Sequence, residues 1–239
     1  MAFIMSPAVQ IEHGPGGRIV GLNHLGQPYG PLTGVLNAQK LAEAYLHEVV
    51  TIYGIDPALL NALTQSPSEV IENAGAELRF ARQDAITGTA TVSFQQTYFG
   101  LPIWQAGFTV SMLTAPLRAT SSLNTLHTDI KIEKPKDDAK CMPRRITPPE
   151  LAKLLNVTSD DREIVINGEK LWVYRYDAAQ RLPEGGPGSG SGKGGGVAPA
   201  ESPTLPLPPP ARGIVDGQHY VVTEVLFDLP LPPRFPRLH

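Results

Sequence analysis

The chain has 239 residues, a formal net charge of −3 and a single cysteine. That charge, with acids and bases interspersed, gives no support for nucleic-acid binding as a main role, and one cysteine excludes an intramolecular disulfide. The length suits one large domain or two small ones, either able to bury a core without cross-links.

Residues 1–33 are rich in Gly and Pro (Gly14-Pro15-Gly16-Gly17, Pro28-Tyr29-Gly30-Pro31) and read as a flexible arm with one short strand over 18–22. The first seven residues have neither the basic n-region nor the apolar run of a signal peptide. No later segment approaches the length needed to cross a bilayer. A helix is expected over 36–53, where Leu36, Leu41, Ala44, Tyr45, Val49 and Ile52 recur at helical spacing. Asn37 suits its N-cap and Gly54 its stop. A second short helix is expected over 56–63, with Pro57 in its first turn, followed by a strand over 77–82.

The segment 91–113 carries the strongest signal. Val92, Phe94 and Tyr98 alternate with Thr91, Ser93, Gln95 and Thr97, the period of a half-buried strand. After Phe99-Gly100-Leu101-Pro102, the alternation resumes with Trp104, Ala106, Phe108, Val110 and Met112 on one face. Gly100 can adopt a positive φ and Pro102 has no N–H to donate, so a tight turn is expected over 99–102. Phe94, Gln96, Tyr98, Gly100, Pro102 and Ile103 fall on the pattern F-x-Q-x-Y-x-G-x-P-V, with Ile in place of the final Val. In these residues the segment resembles the fungalysin/thermolysin propeptide family, and Trp104 is a local departure from it. The resemblance implies a sheet packed on the preceding helix, no catalysis of its own, secretion, and a role as chaperone and inhibitor of a zinc metallopeptidase domain.

Beyond the hairpin, a further strand is expected over 117–128, and a polar connector over 131–145. Thr147 and Glu150 then form a capping-box signature at the start of a short helix carrying Leu151, Leu154 and Leu155. Ile164, Ile166, Leu171 and Val173 flank Asn167-Gly168, which reads as a hairpin over 163–176. Tyr220, Val222, Val225 and Phe227 mark another strand over 219–229. This helix, hairpin and strand resemble the PepSY-type module that accompanies such propeptides. Residues 183–212, a run of Gly, Ser and Pro, interrupt the module and read as a flexible spacer. The tail, 233–239, follows soon after a strand, so the chain reads as a truncated piece of a longer protein.

Candidate chemistry is sparse. His47-Glu48 approaches the zinc-peptidase pattern of two histidines at i and i+4, but Thr51 stands at the second position and is a poor ligand. His13, His24, His127, His219 and His239 show no ligand spacing. Gly188-Ser189-Gly190-Ser191-Gly192 lies in the spacer, where no oxyanion hole can be held. Cys141 lies beside Lys140 and Arg144-Arg145, where a lowered thiol pKa would let its thiolate enter a zinc site and hold a protease latent; a lone Cys in a connector is more often inert. Tyr98, Trp104 and Phe108 read as core, with Trp104 also a candidate binding surface.

The expected architecture is therefore α+β: an antiparallel sheet packed on one long helix over residues 34–130, then a small PepSY-like helix-plus-hairpin module over 146–232. The expected function is a non-catalytic, propeptide-like module that binds a protein partner and needs no metal or cofactor. The alternative is a stand-alone structural or ligand-binding module that uses the face around Trp104.

Overall fold

The computed structural model describes residues 8–30, 37–68, 70–73, 75–135, 146–155, 164–180 and 210–228. Cys141, the spacer up to residue 209 and the tail lie outside the described residues. Six strands form an antiparallel sheet in the order β1-β2-β6-β5-β4-β3. They are β1 (Gln10–His13), β2 (Ile19–Asn23), β3 (Ala76–Ile86), β4 (Thr89–Tyr98), β5 (Leu101–Thr114) and β6 (Leu117–Asn124). Two more strands, β7 (Val165–Arg175) and β8 (His219–Asp228), pair antiparallel as a ribbon, and β7 meets β5 in parallel at Val173 and Ile103.

The expectation of a sheet packed on one long helix is overturned. Strand far outweighs helix among the described residues, and the expected helix over 36–53 is only the 12-residue α1 (Ala38–Val49). Its limits follow from its residues. The Asn37 side chain accepts a bond from Lys40 N at 2.8 Å and caps the start. At the other end Val49, Val50, Thr51 and Ile52 form a β-branched run that disfavours further helical turns. Leu41, Ala42, Tyr45, Leu46 and Val49 of α1 are buried against one face of the sheet, each large apolar side chain contributing about 1.5–3 kcal/mol by burial.

Opposite α1, the hairpin of β4 and β5 supplies the core. Phe94 faces Phe108, Val92 faces Val110 and Ala90 faces Met112, and all six are buried. Such opposed pairs on one face fix the register, because a slip by one residue would turn every apolar side chain to solvent. The turn is tighter than expected: Phe99 (φ 53°) and Gly100 (φ 80°) are its two central residues, and Leu101 and Pro102 already belong to β5. Two positive φ values define the type I′ hairpin, whose twist matches that of the strands.

Residues 66–68 and 70–73 fold across this turn. Glu72 N donates to Phe99 O at 2.9 Å, and Arg79 of β3, 3% exposed, holds this segment by an ion pair to Glu72 (2.6 Å) and also pairs with Glu77 of its own strand (2.8 Å). Burial of the guanidinium is tolerable because two carboxylates and the Ser66 carbonyl receive its hydrogens.

Within 1–33, expected as a flexible arm, β1 and β2 form one edge of the sheet. In the second half, the capping box at Thr147 stands: Thr147 N and Oγ1 both donate to Glu150 Oε2, at 3.0 and 2.8 Å, at the start of α2 (Pro148–Leu154). The hairpin expected at Asn167-Gly168 does not form. Ile166 pairs with Phe227 and Gly168 with Leu226, so Asn167 is the extra residue of a bulge inside the continuous strand β7. An Asn-Gly pair serves a bulge as readily as a turn, and the strand that completes the ribbon lies far along the chain.

The Gly100 turn yields a direct test. A Cβ at Gly100 would stand 2.7 Å from Val70 O at a φ that side chains rarely adopt. Gly100→Ala should lower stability in urea unfolding by at least ~1–2 kcal/mol. Gly26→Ala, with open space around its Cβ, should change it by less than about 0.5 kcal/mol.

Candidate interaction site where sheet and ribbon meet

Period-two alternation places Gln96 on the same buried face as Val92 and Phe94, an unusual place for an amide. It is 1% exposed. Its Oε1 accepts from His127 N and its Nε2 donates to His127 O, both at 2.8 Å. The side chain thus pairs with a backbone as another strand would, which satisfies four buried polar groups at once.

Its neighbour Gln95 does related work on the partner strand. Gln95 pairs with Gly107 and Thr97 with Pro102, so residues 103–106 of β5 stand opposite Gln96 alone. This wide bulge contains Gln105 at φ 54°. Gln95 Nε2 donates to the carbonyls of Ile103 and Ala106, at 2.5 and 2.7 Å, and holds the two ends of the bulge together.

The bulge redirects β5. Ile103 turns out of the first core into a second one, with Leu101, Ala106 and Val173. Trp104 leaves the alternation expected of it and stacks edge-on against Trp172 of β7, ring centres 5.1 Å apart. Trp172 is fixed in turn by Glu224 Oε2, which accepts from its Nε1 at 2.8 Å, and by Lys170 Nζ over its ring at 4.1 Å. A cleft of about 400 Å³ opens beside this pair, lined in part by Trp104, His127, Tyr174, Arg175 and Tyr176.

Of the residues singled out from the sequence, Phe94 lies in the first core and Gln96 bridges to His127. Tyr98 and Ile103 border or fill the second core, and Gly100 and Pro102 shape the turn and its exit. Trp104 is half-buried rather than freely exposed. His47 and Glu48 sit on α1, with Thr51 beyond its end. Among the described residues no group of three or more His, Cys, Asp or Glu is arranged to hold a metal ion, and no helix is long and apolar enough to cross a membrane.

Sequence reasoning missed the pairing of His127 with His219. Their Nδ1 and Nε2 lie 2.9 Å apart across the junction, and residues 92 positions apart leave no spacing to read. Burial first, then the charges of His219, Arg175 and Arg18, lowers the His127 pKa to about 4. His219 is lowered by burial and Arg175, with Asp129 opposing. A second polar network lies inside the first core. His24 Nε2 contacts Tyr45 OH at 3.0 Å, and the Tyr45 and Tyr53 hydroxyls both meet Ser122 Oγ, at 2.9 and 2.6 Å. Burial pushes His24 down to about 4 and Tyr45 up to about 12.

With this geometry in hand, residues 77–112 match the family model described as the Fungalysin/Thermolysin Propeptide Motif. The matched segment begins one residue into β3, takes in β4 and the turn, and ends in β5 past the bulge. The hairpin therefore carries this propeptide motif. No curated protein matches the chain. The family match does not reach residues 146–232, and their expected likeness to a PepSY-type module is not shown.

The lowered histidines set a pH dependence. A histidine whose pKa falls on folding binds fewer protons in the native state, so stability is complete above the unfolded value of about 6.5. It is lost as pH falls toward about 4, where His24 and His127 protonate in the folded chain. Each tenfold loss of proton affinity on folding corresponds to ~1.4 kcal/mol, less at the half-buried His127, which water screens. Urea midpoints measured from pH 7.5 to pH 4 should fall across this window, and His24→Phe should flatten the slope.

Proposed function

We propose that this chain is a non-catalytic propeptide-like module that binds and restrains a thermolysin-type zinc metallopeptidase domain. The observation that carries the reading is the propeptide motif match at residues 77–112. The binding face we favour is the junction of hairpin and ribbon. There Trp104 and Trp172 present half-buried aromatic surface beside an open cleft, and aromatic side chains at the centre of a contact often dominate its energy. The competing reading, a stand-alone ligand-binding module, has the same cleft in its favour.

The test is addition of the purified chain to a thermolysin-type peptidase, with complex formation followed by size-exclusion chromatography and residual activity by peptide hydrolysis. A stable complex with reduced activity is expected, and Trp104→Ala should weaken it about tenfold or more, a loss of at least ~1.4 kcal/mol. Absence of both complex and inhibition would refute the reading.

A further inference from the structure

Arg18 and Arg175 reach one small pocket from distant parts of the chain, the first just before β2 and the second at the end of β7. The pocket is about 80 Å³ and includes the His127–His219 pair, Thr128 and Asp129 in its lining. Arg18 Nη2 donates to Asn124 Oδ1 and to Leu126 O, and Arg175 Nε donates to Gly217 O. All three acceptors are neutral. Among the described residues neither guanidinium forms an ion pair.

Within the pocket lining the acids do not cancel this charge. Asp129, the pocket's one carboxylate among the described residues, is exposed. Asp177 and Asp216 keep their charge but line the neighbouring cleft beside Arg175 and not this pocket, and each has a carboxylate oxygen engaged by a backbone N–H, from Ala179 and Ala178 respectively. In the pocket lining two permanent cations thus face a single carboxylate, and two imidazoles can add positive charge. Like charges held together in a partly enclosed space repel unless an anion joins them. A metal cation is disfavoured by the same guanidinium groups, and the two facing imidazole nitrogens are engaged with each other.

We infer that this pocket binds a carboxylate, gripped by Arg18 and Arg175 and backed by the His127–His219 pair. The planar guanidinium matches the two oxygens of a carboxylate, and the volume leaves room for such a head group with its chain leaving through the mouth. Binding and imidazole protonation are linked: a bound anion favours the imidazolium, so acid strengthens binding. The site does not depend on the propeptide reading, since a chain that fails to bind a peptidase could still hold a carboxylate, and the reverse.

The experiment follows the ring Cε1–H resonances of His127 and His219 by NMR in the full chain, titrated with sodium acetate at constant ionic strength. Acetamide, the neutral isostere, and inorganic phosphate serve as parallel arms, and an N-acetylated, C-amidated glutamate distinguishes a peptide side chain from a free acid. Acetate should shift both resonances saturably, at least about fivefold more tightly at pH 5 than at pH 7, and acetamide should not. Arg175→Gln, at an exposed position, should weaken acetate about tenfold with the rest of the spectrum unchanged, and Arg18→Gln should do likewise. If the amidated glutamate binds as acetate does, the source is a protein side chain; if only acetate binds, it is a small acid. No saturable shift, an equal response to acetamide, a response to phosphate alone, or unchanged affinity in Arg175→Gln would overturn the assignment.

Discussion

The structure depends on how one strand keeps its backbone satisfied while it leaves a sheet. A β-strand cannot turn aside from its neighbour without stranding N–H and C=O groups, and a buried orphan costs ~1–3 kcal/mol. In β5 the departure occurs over residues 103–106, and the side chain of Gln95 donates to the carbonyls at both ends. Gln96 meets the His127 backbone on the adjacent side. With two amides in these places, β5 continues the first sheet from Gly107 onward and joins the ribbon at Ile103.

The ribbon needs this junction. Two strands alone are at best marginally stable in water, and Val173 is the residue of β7 most deeply buried, because Ile103, Leu101 and Ala106 surround it. The aromatic contact of Trp104 with Trp172 and the histidine pair lie along the same seam. The seam therefore combines an apolar anchor, a pair of tryptophans and a positively charged pocket within the reach of a few side chains.

Much of the first sheet is legible in the sequence because local rules and tertiary structure agree there. Alternation over 91–98 and 106–112, Asn37 as a cap and Thr147 with Glu150 as a capping box all act within a few residues. The longer helix fails where β-branched residues after Val49 oppose the spacing of Tyr53 and Ile52. Asn167-Gly168 misleads because its true partner strand lies across a long insertion, and local turn chemistry cannot report a distant pairing. Parity puts Trp104 on the Phe108 face, and the bulge breaks that parity. The histidine pair and the two arginines are invisible for a related reason: each lone residue gains its role only when β2, β6, β7 and β8 converge. Gln96 does leave a trace, as an amide at a position whose alternation demands an apolar side chain.

Native-state hydrogen exchange of Gln95→Ala tests most directly whether the glutamine-held bulge couples the ribbon to the sheet. Amides of Val173 and Val221 in the ribbon should lose protection by about tenfold or more relative to the parent chain, while those of Val92 and Val110 in the first sheet change little. Equal loss in both regions, or a ribbon whose protection is unaltered, would contradict that coupling.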